Sequence, residues 1–474
     1  MDQAAVVAKR VKHVGIPEPE VVFAGSFDSS AFTGLRSYQR DGISRMAATV
    51  ARTGGGILAD DMGLGKTVQT LGIWHALKRP LPLLIVCPAS VRRTWLKEFK
   101  KWLPDITISV VETGKQASAL TSHVPAVVTS YELAKKLPAT FIPHMLVMDE
   151  AHLLRGRRAD RSNRLYEIAR LCSYRLALTG TPMWSRPRDF WMLLKILFGY
   201  RFGTADEFDE AYCGAYVNAY GGKENRGATR LDELKLRMSY IMLRRLKESV
   251  GAELPPLTRI MRWVPPTKEA KLAVASAALK QMHFSEALKA TLAGKIDAAV
   301  EAADDAGKFL LFTWQKAHAE EMYEQLQKLG HSVELLDGDW TPAERQLIID
   351  RAARTGASVV ATLGSSAAGV DGLQHIASTV IFHAISYVPI EMAQAEARLH
   401  RIGQANPVTV VYIAMEDSAD KYVVDTVLEK LDQWRASMGD DATASMADTV
   451  SQGSDYNAEA AALSAIYEAM EADE

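Results

Sequence analysis

Short apolar runs alternate with segments of helical spacing through most of this 474-residue chain. From residue 56 the runs GILA, LLIVCP, AVVTS, LVMDE and YRLALTG are separated by helical patterns, one starting near Lys66 and another reading VRRTWLKEFKKWL. Runs of this length, apolar on every residue, predict strands buried on both faces, and the helices between them predict parallel crossovers. A second such set begins near residue 307: KFLLFTW, HAEEMYEQLQKLG, HSVELLDG, PAERQLIIDRAA, SVVATL, TVIFH, IEMAQAEARLHRIG and VTVVYI. The fold class is therefore α/β, with two parallel-sheet units of similar size.

Between the two sets, about 187 to 306, the pattern is mostly helical, punctuated by ELPPLT and VPPT, which predicts a hinge region. The expected divisions are a lead-in over 1–30, a first lobe over 31–250 with a helical insertion at about 187–245, a linker and helical protrusion over 251–306, a second lobe over 307–435, and an acidic tail over 436–474. No repeat of 20 to 50 residues is apparent.

Charge changes the picture. The formal net charge is -2, but residues 436–474 hold nine acidic side chains and no Lys or Arg. Without them the chain has 55 basic against 48 acidic residues, a body of +7 that suits a phosphate backbone. Within the tail, Leu463, Ile466, Tyr467 and Met470 fall at helical spacing, although its composition predicts a solvated segment. The three cysteines form no C-x-x-C pair, which argues against a structural zinc or a disulfide framework. No long apolar run or secretion signal is seen, so the expected location is cytoplasmic and nucleoid-associated, with no membrane partner.

The stretch ADDMGLGKT, 59–67, has the order strand, glycine turn, helix start that a triphosphate requires, although Asp60 stands where the usual loop has its first glycine. Backbone N–H groups of Met62, Gly63, Leu64 and Gly65 would cradle the anion, Lys66 would reach its β and γ phosphates, and Thr67 would bind Mg2+. Gly63 and Gly65 lack the third glycine of a dinucleotide fold. Downstream, LVMDEAH at 146–152 puts Asp149 at the end of an apolar strand to hold Mg2+, and Glu150 beside it to deprotonate water. In the second unit QAEARLHRIGQ, 394–404, spaces Arg398 and Arg401 three apart, predicting two cations on one helical face for the γ-phosphate of ATP.

The ordered set LRSYQRDGI (35–43), ADDMGLGKT, LLIVCPASVRRTWLKEF (83–99), TSYE (129–132), DEAH, LALTGTP (176–182), MLRRLKESVGAELPP (242–256), LDGDWTPAER (336–345), AAGVDGL (367–373) and ARLHRIGQ resembles the Swi/Snf-type ATPases of helicase superfamily two. That family also carries Asp at the first loop position. The resemblance implies two tandem RecA-like lobes with short helical insertions. It places Gln39 on the adenine and Arg398 and Arg401 on the γ-phosphate, and it assigns Ser90, Thr129, Ser130 and Ser366 to the phosphates of one strand of a duplex. Thr179, Thr181 and Gln394 would couple nucleotide to duplex.

Departures from the family pattern fall at Ser37, Val370, Gln374 and the run Tyr387, Val388, Pro389, and touch the second lobe and its coupling more than the hydrolysis centre. The implied function is a monomeric DNA-stimulated ATPase that translocates on double-stranded DNA and remodels protein–DNA complexes or branched DNA, with a separate protein partner supplying targeting. A strand-separating or strand-annealing DNA or RNA helicase is the alternative, and a nucleotide-binding scaffold without turnover is a third reading.

Overall fold

The apolar runs become parallel strands. A computed structural model of the chain describes residues 32–180, 187–217, 223–225, 227–246, 248–250, 255–278, 284–363, 372–386, 389–401 and 403–425, which fall into two compact units, 32–250 and 255–425. The expected lead-in 1–30 and acidic tail 436–474, together with Thr181, Ser366, Val370, Tyr387 and Val388, lie outside the described residues.

In the first unit the strands are β1 (Gly55–Leu58), β2 (Leu83–Cys87), β3 (Ile108–Val110), β4 (Ala126–Ser130), β5 (Met145–Asp149) and β6 (Tyr174–Leu178), followed by a small antiparallel pair, β7 (Tyr216–Val217) and β8 (Lys223–Glu224), and then β9 (Met242–Leu243). The main sheet has the order β3-β4-β2-β5-β6-β1-β9 and every pairing in it is parallel. Because side chains alternate faces along a strand, each strand feeds two cores. Ile57, Leu84, Val127, Leu146 and Ala177 pack on one face, and Leu58, Ile85, Val128, Val147 and Leu178 on the other. Helices cover both faces, so β1, β2, β4 and β5 carry polar side chains only toward their carboxyl ends, where the chain turns.

The second unit repeats the plan with β10 (Leu257–Val264), β11 (Phe309–Thr313), β12 (Val333–Leu336), β13 (Ser358–Thr362), β14 (Thr379–Phe382) and β15 (Val408–Met415), in the order β10-β15-β14-β11-β13-β12, again all parallel. Its two cores are built the same way, with Leu310, Phe312, Val380 and Phe382 on one face and Leu311, Val360 and Ile381 on the other.

Besides the short pair β7 and β8, two strands of the main sheets lie inside the stretch that sequence pattern presents as mostly helical. β9 adds the edge of the first sheet beside β1, and β10 pairs along its whole length with β15 as the edge of the second. The reason for the misreading is chemical. β10 reads LTRIMRWV, and its two arginines point to opposite faces, Arg259 to Glu396 at 2.8 Å and Arg262 to Glu301 at 2.5 Å. An edge strand carrying charge on both faces does not look like a buried parallel strand.

Among the described residues, no helix is long and apolar enough to cross a membrane.

Candidate nucleotide site and nucleic-acid segments

The loop between β1 and the helix Lys66–Ala76 is shaped by its glycines. Gly63 and Gly65 have φ of 87° and 78°, left-handed values that a side chain would strain, and a Cβ on Gly65 would lie 2.5 Å from the amide nitrogen of Gln39. Gln39 is thereby at the loop, its Nε2 donating to Leu64 O at 3.2 Å. The Lys66 ammonium donates to the loop's own carbonyls, Asp60 O at 2.7 Å and Asp61 O at 3.2 Å. Burial pulls the Lys66 ammonium below its ordinary pKa, against the opposing charges of Glu150, Asp60, Asp61 and Asp149. Met62 reaches over to Gly180, and Thr67, half-buried, is the second residue of the helix.

Asp60 is a fully buried carboxylate with a job of its own. It takes a two-point contact from Arg245, Nε to Oδ1 at 3.0 Å and Nη2 to Oδ2 at 2.5 Å. Gln69 closes the ring by donating to Asp60 at 3.0 Å and accepting from Arg245 at 2.7 Å, and Arg245 also donates to Tyr38 O. Arg244, its neighbour, donates to Ala59 O at 3.1 Å and Gly180 O at 3.3 Å. The two arginines of MLRRLK thus fasten the nucleotide loop and the end of β6 to the strand β9. A planar, permanently charged fork suits this bidentate task where lysine would not. Sequence reading noticed Asp60 but missed its partner; the signal was the buried acid in one motif and the arginine pair in another.

The acid dyad lies at the carboxyl end of β5. Asp149 Oδ2 accepts from Trp95 Nε1 at 2.9 Å, and Asp149 Oδ1 accepts from Glu150 N at 3.0 Å. Its carboxyl is pushed up to about 7, first by burial and then by Glu150, against the Trp95 hydrogen bond and Lys66. Glu150 has φ of 51°, a left-handed conformation that costs a non-glycine residue about 1 to 3 kcal/mol and is characteristic of working sites. His152 Nδ1 lies 3.3 Å from the Glu150 carboxylate and 3.3 Å from Thr179 Oγ1. Burial takes the His152 pKa down to about 3, so the ring is neutral: its hydrogen bond is with Thr179, and its approach to Glu150 is a polar contact, not an ion pair.

Thr67 and Asp149 offer a hydroxyl and a carboxylate oxygen, hard donors of the kind magnesium takes one or two of before completing its shell with phosphate and water. Among the described residues no group of three or more acids, histidines or cysteines forms a metal cluster. The donor set fits an ion that arrives with a nucleotide.

Three of the hydroxyls expected on duplex phosphates are described. Ser90, half-buried, precedes the helix Arg92–Trp102, and its Oγ has no hydrogen-bond partner among the described residues. Ser130 is 7% exposed and its Oγ caps the helix Tyr131–Ala134, accepting from Leu133 N at 3.3 Å. Thr129 is wholly buried in β4, its hydroxyl shielded and unpartnered among the described residues, so in this conformation it cannot meet a phosphate directly.

In the second unit, Gln394 and Arg398 lie half-buried on the helix Pro389–Leu399. Arg401 does not share a helical face with Arg398, because the helix ends at Leu399. His400 Nε2 contacts Pro255 O at 2.9 Å, and Gly403, with φ of 100°, turns the chain away. Gln404 then ties the segment down, its Nε2 donating to Gln374 O at 3.2 Å and Ala377 O at 3.0 Å. Glu396, two residues before Arg398, is held by Arg259 and the Tyr412 hydroxyl.

The loop, the acid dyad and two parallel sheets define the class. The SNF2-related domain model matches residues 38–301, more than half of the chain, and the helicase conserved C-terminal domain model matches residues 293–403. The chain belongs to the SNF2-related family, and its two sheets are that family's tandem RecA-like lobes.

It is 32% identical over 440 residues to the SWI/SNF-related matrix-associated actin-dependent regulator of chromatin subfamily A-like protein 1 of Xenopus tropicalis, covering 88% of this chain and 46% of that protein. It is 31% identical over 429 residues to the DNA annealing helicase and endonuclease ZRANB3 of Bos taurus, covering 81% of this chain and 39% of that protein. The chain therefore spans less than half the length of these relatives. A solved structure, the Sulfolobus solfataricus SWI2/SNF2 ATPase core in complex with double-stranded DNA, aligns with a TM-score of 0.44 at 22% identity over 80% of this chain and 88% of that one.

Proposed function

We propose that this chain is a DNA-stimulated ATPase that translocates along double-stranded DNA and remodels protein–DNA complexes or branched DNA, acting as a monomer in the compartment that holds the chromosome. The observation that carries the reading is the gathering of Lys66, Asp149 and Glu150 at one loop, close enough that both carboxylates act on the lysine's charge. ATP lies along the loop with its triphosphate on the N–H groups of residues 62–65, its β and γ oxygens on Lys66 and its adenine against Gln39. Thr67 and Asp149 would hold magnesium, which would supply positive charge to the triphosphate.

Glu150 accepts a proton from a water molecule aligned with the γ-phosphorus. The new P–O bond forms as the bond to the bridging oxygen breaks, and ADP and phosphate leave. Arg398 and Arg401 supply positive charge for the transferring phosphoryl group. Ser90, Ser130 and Ser366 touch one strand through its phosphates, Thr129 joins them only after β4 shifts, and Thr179, Thr181 and Gln394 link those contacts to nucleotide state.

A second reading, strand annealing, is favoured by the similarity to the bovine DNA annealing helicase and endonuclease ZRANB3. Both are tested by ATPase titration across single-stranded, duplex, forked and four-way DNA and duplex RNA, combined with third-strand displacement and annealing assays. Duplex stimulation with third-strand displacement supports translocation, whereas annealing without displacement supports the second reading. Glu150→Gln is expected to retain ATP binding and lose turnover by about 10²- to 10⁴-fold, the scale of a removed general base; retained turnover would exclude Glu150 from that role.

A further inference from the structure

The peptide joining Asp149 to Glu150 is held from both sides by segments that carry the proposed phosphate contacts. Its carbonyl oxygen accepts from the Tyr131 hydroxyl at 2.6 Å, and its N–H is bound by Asp149 Oδ1 while Oδ2 of the same carboxylate accepts from Trp95 at 2.9 Å. Tyr131 directly follows Ser130, and Trp95 stands on the helix that Ser90 precedes. Both aromatic rings are buried, Trp95 completely and Tyr131 to 5% exposure, so neither can swing without moving its segment. Glu150, immediately after the clamped peptide, is left-handed at φ 51°. Near the other end of the two connections, the Ser90 and Thr129 hydroxyls are shielded and without hydrogen-bond partners among the described residues. A buried hydroxyl left unpaired is costly, and a small shift of its segment toward a phosphate would relieve it.

We propose that Trp95 and Tyr131 are positioning residues that convert duplex binding into ATPase stimulation. Phosphate contact moves the Pro88–Val91 and Thr129–Ser130 segments, the indole and phenol hydroxyl carry that movement to the two ends of one residue, Asp149, and the strained Glu150 is re-aimed at the water. Each ring acts through Asp149, to which it is hydrogen-bonded. This inference rests on the reading of the chain as a duplex-stimulated ATPase.

The test uses the full chain with Tyr131→Phe, which removes only a hydroxyl, and Trp95→Phe, each checked by thermal unfolding and by duplex affinity. The quantity read is the ratio of duplex-saturated to DNA-free ATPase rate. Misplacement of a reacting group by a fraction of an ångström is expected to lower that ratio by about 10-fold while duplex affinity holds within about 2-fold. In parallel, the chain is labelled with 5-fluorotryptophan; of its nine tryptophans, the resonance missing from Trp95→Phe identifies Trp95. That resonance is expected to shift when duplex is added without nucleotide.

Equal loss of both rates would show a purely structural role and overturn the inference, as would an unmoved Trp95 signal at saturating duplex. A wild-type chain that hydrolyses ATP but gains nothing from duplex would overturn the functional reading itself, and this inference with it. Wild-type stimulation with an unchanged ratio in Tyr131→Phe would sink the inference alone.

Discussion

The two units have the same architecture but spend their buried charge differently. In the first, buried or half-buried ionisable groups collect at the carboxyl edge of the sheet, and several are held away from their ordinary state: Asp149 is pushed up to about 7 and Lys66 is pulled down. In the second, the deepest charges are matched. Lys295 Nζ lies 2.6 Å from Asp420, with 0% and 2% side-chain exposure, and Thr291 and the N–H of Met415 complete the Asp420 carboxylate. The connections after the first core strands differ accordingly. Gly65 precedes the helix after β1 in a left-handed turn, whereas Gln315, extended at φ -97°, precedes the helix after β11. One unit keeps its charges partly unpaid for a ligand, and the other closes them into the fold.

The sharpest way to break this contrast is in the second unit. Lys295→Met leaves Asp420 buried without its counter-charge, and is expected to cost about 3 to 5 kcal/mol in urea unfolding, while Lys295→Met with Asp420→Leu should recover most of it. If the single variant lost under 1 kcal/mol, the pair would not be the structural anchor described. Next comes Asp60→Gly, which restores the ordinary loop glycine but strands Arg245. A loss of about 3 kcal/mol and weaker ATP binding by calorimetry are expected, with partial rescue by adding Arg245→Met. Stability unchanged in Asp60→Gly would show the loop and β9 to be independent.

Acid acts on a comparable scale, spread over several pH units. His383 is buried beside Thr313, with Nε2 2.8 Å from Leu292 O, and desolvation first, then the Lys295 charge and the nearby His318, bring its pKa down to about 3. The folded state therefore binds that proton less readily than the unfolded chain, so its contribution is present above about pH 6.5 and is lost as pH falls toward 3. The slope is about 1.4 kcal/mol per pH unit, and His383→Gln should flatten it in acid unfolding curves. Smallest of all, Arg45→Ala removes an exposed pair with Asp41 at 3.8 Å and should change stability by less than about 0.5 kcal/mol, a calibration for the larger losses.

What the sequence showed and what it hid divide along a physical line. Parallel core strands are apolar on both faces, so LLIVC and FLLFT are legible directly, and the glycine turn with Lys66 and the acid pair after β5 are legible because their chemistry is local. The edge strands β9 and β10 are not, because β9 is only two residues long and β10 carries arginines on both faces. Partnerships across long separations are hidden too. Asp60 and Arg245 stand 185 residues apart, and Trp95 and Asp149 stand 54 apart, so neither spacing signals a contact. Hidden likewise is the contact just past the helix end at Leu399, between His400 and Pro255 O, 145 residues apart.

The Lys66 ammonium grips the carbonyls of Asp60 and Asp61, which gives the residue a second occupation as the loop's own template. Truncating it would therefore do two things at once, withdrawing a charge from the ligand and unravelling the cup that receives it. The two occupations are better separated by Glu150→Gln, which keeps a side chain of the same size and leaves both carbonyl contacts of Lys66 in place.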